Sequence, residues 1–120
     1  KNFSCYMHID SLNCGVLGVG SSAKAAIKDM LSGWKDETDE LREEGKEIPE
    51  LEIEYKFDVG SLFNYYDFIN VAGVSREIGV SPSVMRQYAI GIRKPSPERK
   101  KEIMMGIKSL ASKMQTAEIY

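Results

Sequence analysis

Histidine occurs once in this chain, tryptophan once and cysteine twice among 120 residues. No apolar run comes near the roughly 20 residues that a membrane helix requires. Each scarcity removes a class of function. His8 has no partner at triad spacing, which argues against nucleophilic catalysis and leaves it as a surface residue on the polar side of a strand. Two cysteines are too few for a disulfide scaffold, and without nearby histidines they do not make a zinc site. Cys5 and Cys14 therefore read as reduced, buried thiols. A metal-dependent nuclease needs several carboxylates converging on a cation, and Asp10, Asp29 and Asp39 show no such convergence. No enzyme activity, metal or cofactor is expected. The chain carries no basic-then-apolar leader, so a cytoplasmic protein with no membrane partner is the expectation.

What is present is more specific. An apolar fraction of 42% with 28% charged residues fits a folded globular chain, and its length allows one ordinary domain or two small ones. The net charge of −2 is an average over unlike halves. Residues 1–60 hold 7 Lys and Arg against 13 Asp and Glu, a net of −6, whereas residues 61–120 hold 9 against 5, a net of +4. Steering of an anionic polymer depends on the local field, so the acidic total does not exclude DNA as a partner of the second half.

The patterning changes at the same place. NFSCYMHID alternates Phe3, Cys5, Met7 and Ile9 with Ser4, Tyr6, His8 and Asp10, which is strand periodicity. The turn-like DSLNCG then leads into GVLGVG, and the two runs predict a hairpin. Ser21 or Ser22 can cap a helix over about 22–44, with Ile27, Leu31, Trp34 and Leu41 as its apolar face, KDETDELREE as its solvated face and Gly45 as its stop. LEIEYKFDV alternates Leu51, Ile53, Tyr55, Phe57 and Val59 with charged residues and predicts a further strand. From Ser61 onward LFNYYDFIN, VAGVSREIG, PSVMRQYAI and PERKKEIMMGIKSLASKM predict helices. Ser96 and Pro97 start the last of these, and Ile103, Ile107, Leu110, Ala111 and Met114 form its apolar stripe. The expected fold class is α+β: a small antiparallel sheet with one helix over residues 1–60, then an all-α domain over residues 61–120.

The stretch GVSPSVMRQYAIGIRKPS carries the chemistry. Gly79 can end one helix in a left-handed turn, Val80 can plug the core, Ser81 can cap the next helix and Pro82 can occupy its first position. That punctuation predicts a helix-turn-helix. Met85 and Tyr88 fall inward beside Val84, matched by Val74 and Ile78 on the preceding helix, while Pro82, Ser83, Arg86 and Gln87 point outward from the end that enters a major groove in this motif. Arg99, Lys100 and Lys101 read as a solvated helix start, and Trp34 and the Tyr65–Tyr66 pair as packing residues.

With Gly79, Val80, Ser81, Met85, Tyr88, Gly91, Arg93 and Pro95-Ser96 in this order, residues 68–114 resemble the helix-turn-helix of the phage-repressor family (Cro and lambda repressor, XRE-like). Ser75 stands where that family carries a small apolar residue. The resemblance implies that Ser83, Arg86 and Gln87 face base edges while Ser81, Arg93 and Lys94 approach phosphates. Arg86 would then suit guanine and Gln87 adenine, each good bidentate contact discriminating by about 1–3 kcal/mol. The order hairpin, acidic helix, EEGKEIPELEIEYKFD and repressor-like helices is similar, over nearly the whole chain, to the HicB family of antitoxins. That family's N-terminal part is a degraded RNase H-like fold in which a further strand normally precedes the hairpin; either the counterpart of that strand lies before Lys1 or the chain departs from the family there.

The resemblance implies a repressor that binds operator DNA through its C-terminal part, masks a small RNA-cleaving HicA-like toxin through its N-terminal part, and acts as a homodimer or higher oligomer. A solitary helix-turn-helix regulator without a toxin, and a protein-interaction adaptor that never touches DNA, are the alternatives.

Overall fold

The computed structural model describes residues 2–120 and is α+β, with a two-stranded antiparallel sheet and five α-helices among the described residues. The chain divides into two compact units, Lys1–Phe57 and Asp58–Tyr120.

In the first unit, β1 (Phe3–Ile9) pairs with β2 (Cys14–Gly20), with Tyr6 opposite Leu17 and Ile9 opposite Cys14. A single 3-10 turn, Asp10–Leu12, joins them, and Asn13 closes the turn in the left-handed region at φ 48°. Asn tolerates that conformation because its short polar side chain can bond locally. Phe3, Cys5, Met7 and Ile9 turn inward, while Ser4, Tyr6 and His8 stay exposed. The outer face leaves Tyr6, Leu17 and Val19 more than half exposed.

Helix α1 (Ala23–Glu43) covers the inner face. Ser22 caps it by accepting a hydrogen bond from the Ala25 amide at 3.0 Å, and Gly45 and Lys46 close it by donating to the carbonyls of Arg42 and Leu41. Its buried face is phased differently from the sequence expectation. Ala23, Ala26, Met30 and Leu41 are buried, Ile27 and Trp34 are half-buried, and Leu31 is exposed. The cause is close approach: a Cβ on Gly18 of β2 would collide with the Ala26 carbonyl and with the backbone and Cβ of Met30, so the bare glycine lets the helix lie against that strand at Ala26 and Met30. Cys5 Sγ donates to the Ala26 carbonyl at 3.3 Å and lies 3.7 Å from Met30 Sδ. Burial pushes its thiol pKa up, as does the nearby Asp29 carboxylate, against a lowering hydrogen bond from the Gly18 backbone. Both cysteines are free thiols and half-buried rather than fully buried.

LEIEYKFDV does not form the expected strand. Residues 47–56 belong to no helix or strand and make no backbone hydrogen bond to any described residue, and Val59 already belongs to the next helix. Alternation of apolar and charged residues gives a chain one face to bury, but a ladder also requires a neighbouring edge. Leu51, Ile53 and Phe57 are half-buried between exposed Glu52, Glu54 and Lys56, whereas Tyr55 is exposed and breaks the pattern.

The second unit contains α2 (Val59–Tyr65), α3 (Val71–Ile78), α4 (Pro82–Ile90) and α5 (Pro97–Gln115). Asp58, Asn70 and Ser96 cap α2, α3 and α5 by accepting hydrogen bonds from Ser61, Gly73 and Arg99 amides at 2.7, 2.9 and 3.2 Å. The expected helix over LFNYYDFIN stops at Tyr65: Tyr66 leaves the helical region at φ −96°, ψ 61°, a turn follows, and Asn70 is extended as the α3 cap. Phe63, Val80, Met85, Tyr88 and Ile103 form the core. On α5 only Ile103 is buried; Ile107 and Leu110 are half-buried, and Ala111 and Met114 are exposed, so the stripe is core for its first turns only.

Candidate nucleic-acid interface

The geometry of the α3–α4 junction follows from three adjacent residues. Gly79 ends α3 at φ 83°, ψ 22°, a conformation that a Cβ would strain, and its amide donates to the Ser75 carbonyl. Val80, 2% exposed, then drives the chain into the core. Pro82 opens α4 at a position where its missing amide hydrogen costs nothing. Ser81 occupies the cap position but its side chain makes no capping hydrogen bond, contrary to expectation; its backbone carbonyl accepts from the Met85 amide at 2.9 Å.

α4 is consequently two-sided. Met85, 0% exposed, and Tyr88, 8% exposed, anchor it to the core with Val84 half-buried beside them. Ser83, Arg86 and Gln87, at helical spacings of three and four, share the opposite side. Ser81, Ser83 and Arg86 are exposed, while Pro82 and Gln87 are half-buried. Arg86 and Lys94 make no hydrogen bond or ion pair with any described residue, so their charges face solvent. Arg99 is different: it pairs with Glu102 at 3.5 Å on the outside of α5.

Val74 and Ile78, expected as the inward residues of α3, are only half-buried, and the fully buried residue is Ser75, 0% exposed. Its Oγ donates to the Val71 carbonyl one turn back at 2.6 Å, which satisfies the hydroxyl inside its own helix and lets a polar residue occupy a position suited to a small apolar one.

One pairing had no sequence periodicity to announce it. Gly91 ends α4 at φ 83°, ψ 7°, and the amides of Gly91 and Ile92 donate to the carbonyls of Tyr88 and Gln87 at 3.1 and 3.2 Å. These two bonds fold the chain back along α4. Arg93 Nη1 thereby reaches Gln87 Oε1 at 3.5 Å. Ser83, Arg86 and Gln87 thus share one side of α4 by helical spacing, Arg93 is brought against Gln87, and Lys94 follows it in the chain.

The other chemistry-bearing residues are dispersed. Asp10 pairs with His8 at 3.2 Å, Asp29 accepts from the Val19 amide at 2.9 Å, and Asp39 bridges Lys35 and Arg42 at 3.1 and 3.3 Å. No group of three or more metal-ligating side chains occurs among the described residues. No helix of the described chain is long and apolar enough to cross a membrane. Comparison with protein-family models, characterised proteins and solved structures found no match.

Proposed function

We propose that this chain is a DNA-binding repressor of the antitoxin type, without catalytic activity, that reads an operator with the outward side of α4. One observation carries the reading. α4 is held by buried Met85 and Tyr88 while its other side presents Ser83, Arg86 and Gln87, with Arg86 and Lys94 left without internal counter-charges. Water satisfies exposed cations anywhere on a surface, so what supports the reading is their place: Arg86 on the outward side of a helix anchored by the core and Lys94 just past its glycine turn are set where base edges and phosphates would supply acceptors. The exposed hydroxyl of Ser81, which makes no capping bond, stands where a phosphate oxygen would approach the start of the helix.

Binding of duplex DNA by fluorescence anisotropy over a salt series tests the reading. Each phosphate neutralised contributes a slope of about −0.9 in log affinity against log salt. An adaptor that never touches DNA gives no salt-dependent binding to duplex. Arg86→Ala with Gln87→Ala is expected to remove sequence preference, and unchanged affinity and preference in that double variant would reject α4 as the reading helix.

A single motif of this kind offers few contacts, so the operator-bound form is proposed to be a homodimer on half-sites about one or two helical turns apart. A monomer by light scattering at micromolar concentration, with or without operator, refutes this. The N-terminal unit is assigned to a HicA-like toxin partner. Its outer sheet face, with Tyr6, Leu17 and Val19 65%, 64% and 54% exposed, supports partner binding there. Co-expression with the cognate toxin gene tests that half, and failure to restore growth leaves a solitary regulator.

A further inference from the structure

We infer that residues 51–56, LEIEYK, are a strand whose neighbour is a second copy of this chain: each copy lays this segment on the free edge of the other's β1, closing a reciprocal dimer through the first unit. The inference stands apart from the reading of DNA by α4 and supplies a two-fold contact outside it.

The two edges of the sheet are not equivalent. The Val19 amide donates to the Asp29 carboxylate at 2.9 Å, so it turns away from β1, and Ser4–Val19 is a non-hydrogen-bonded pair of the antiparallel ladder. Ser4, Tyr6 and His8, at alternate positions, therefore aim their amides and carbonyls at the free side of β1. There none of these backbone groups meets a partner among the described residues. The matching row on β2 is obstructed at Val19 by Asp29. An open row of backbone donors and acceptors is a template for one more strand.

α1 leaves the same side uncovered. A Cβ on Gly18 or Gly20 would collide with α1 at Ala25, Ala26 or Met30, and one on Gly33 of α1 would meet Val16, so the helix lies over β2. On β1 the inner residues Phe3, Cys5 and Met7 are only half-buried.

LEIEYK fits this edge by face and by charge. Paired there, Leu51, Ile53 and Tyr55 continue the inner face beside Phe3, Cys5 and Met7, while Glu52, Glu54 and Lys56 continue the outer one. Tyr55, 45% exposed in the single chain, then gains a covered position. Glu52 and Glu54 meet no acid in the outer row of β1, which is Ser4, Tyr6 and His8, whereas on the β2 edge they would approach Asp29. In its own chain the segment shares a compact unit with β1 and still forms no ladder. Exchange about a two-fold axis gives both edges and both segments a partner at once.

Nuclear magnetic resonance on an equal mixture of differently isotope-labelled full chains, with light scattering, tests the inference. A dimer is expected, with close contacts between residues 51–56 of one copy and Ser4, Tyr6 and His8 of the other, and amide exchange of 51–56 at least about tenfold slower than at high dilution. His8→Pro removes an outward donor but no β1–β2 bond, and Tyr55→Asp charges the inner face at a position that the single chain leaves exposed. Each is expected to abolish the cross-copy contacts with circular dichroism unchanged, whereas Leu17→Pro, at an outward amide of β2, keeps them. Contacts of 51–56 with β1 within one copy only, a monomer at the concentrations of the measurement, or cross-copy contacts that survive both His8→Pro and Tyr55→Asp would each overturn the inference. A dimer that binds operator but shows none of these contacts overturns it too, and leaves the DNA reading standing.

Discussion

Replacing the fully buried Ser75 by alanine is a sharp test of how the second unit is held together. The hydroxyl is 0% exposed, and its Oγ donates to the Val71 carbonyl at 2.6 Å. A buried hydrogen bond contributes about 0.5–1.5 kcal/mol net, and a polar group orphaned by its loss costs about 1–3 kcal/mol more. No orphan arises here. The Val71 carbonyl also stands four residues before the Ser75 amide, the spacing of the helical ladder, so it keeps an ordinary partner when the hydroxyl goes. Alanine returns about 0.5 kcal/mol of helix propensity and removes the desolvation of the hydroxyl. The opposing contributions nearly cancel, so Ser75→Ala is expected to change stability by less than about 0.5 kcal/mol. Urea unfolding followed by far-UV circular dichroism is the suitable assay, because the second unit holds four of the five α-helices and the single Trp34 lies in the first unit. At a typical urea dependence of about 1–2 kcal/mol per molar, the midpoint moves by less than about 0.5 M. A loss above about 1.5 kcal/mol would refute the reasoning, because it would mean that the hydroxyl supports something beyond its own helix.

Two serines at cap positions are expected to behave unequally. Ser96→Ala removes the oxygen that accepts from the Arg99 amide at 3.2 Å and should cost about 1 kcal/mol in the same unfolding assay, whereas Ser81→Ala, which removes no capping bond, should cost less than about half of that. Amide exchange monitored by mass spectrometry on the monomer, at high dilution, should show residues 47–56 exchanging fast under conditions that protect β1, β2 and α4, since that segment has no backbone hydrogen bond to any described residue; protection equal to that of β1 would show that it is paired within its own chain. Burial raises the Cys5 thiol pKa, so the folded state favours the protonated form. Its contribution to stability is therefore complete at neutral pH and is lost as pH climbs through and beyond the ordinary thiol range, and alkylation mapped to Cys5 should be slower in the native chain than in urea. Equal rates would remove the burial argument.

Punctuation was legible because single residues encode it. Ser96-Pro97, Gly79 and Gly45 each satisfy or permit a helix terminus without reference to distant chain, and the structure places helix ends at all three. The hairpin was legible for a related reason: both strands and their turn lie within eighteen residues, so the partner edge comes with the pattern. LEIEYKFDV has the strongest alternation in the chain yet forms no ladder, because its pattern specifies a face but not a neighbour. The phase of α1 was missed for the complementary reason. Counting large apolar residues selected Leu31, while the closeness of Gly18 made Ala26 and Met30 the contact residues, and only the fold shows which helix residue lies over a given glycine.

The candidate interface divides along the same line. Outward placement of Ser83 and Arg86 follows from helical period once Met85 and Tyr88 are assigned to the core, so sequence suffices for which residues face away. What those residues can recognise depends on their own partners, and these come from beyond the helix end. Arg93 lies six positions from Gln87, and the two meet because Gly91 reverses the chain with bonds to Tyr88 and Gln87. A reading of spacing alone sends Gln87 to adenine and Arg93 to a phosphate as separate contacts. The guanidinium takes one lone pair of the amide oxygen and leaves the other beside the NH2 group, so the two side chains stand together as one unit, with a residue outside α4 against one of its outward side chains. A position-by-position carry-over of contacts from a resembling helix-turn-helix therefore holds only where the helix C-terminal turn also brings the same side chain back onto the reading face.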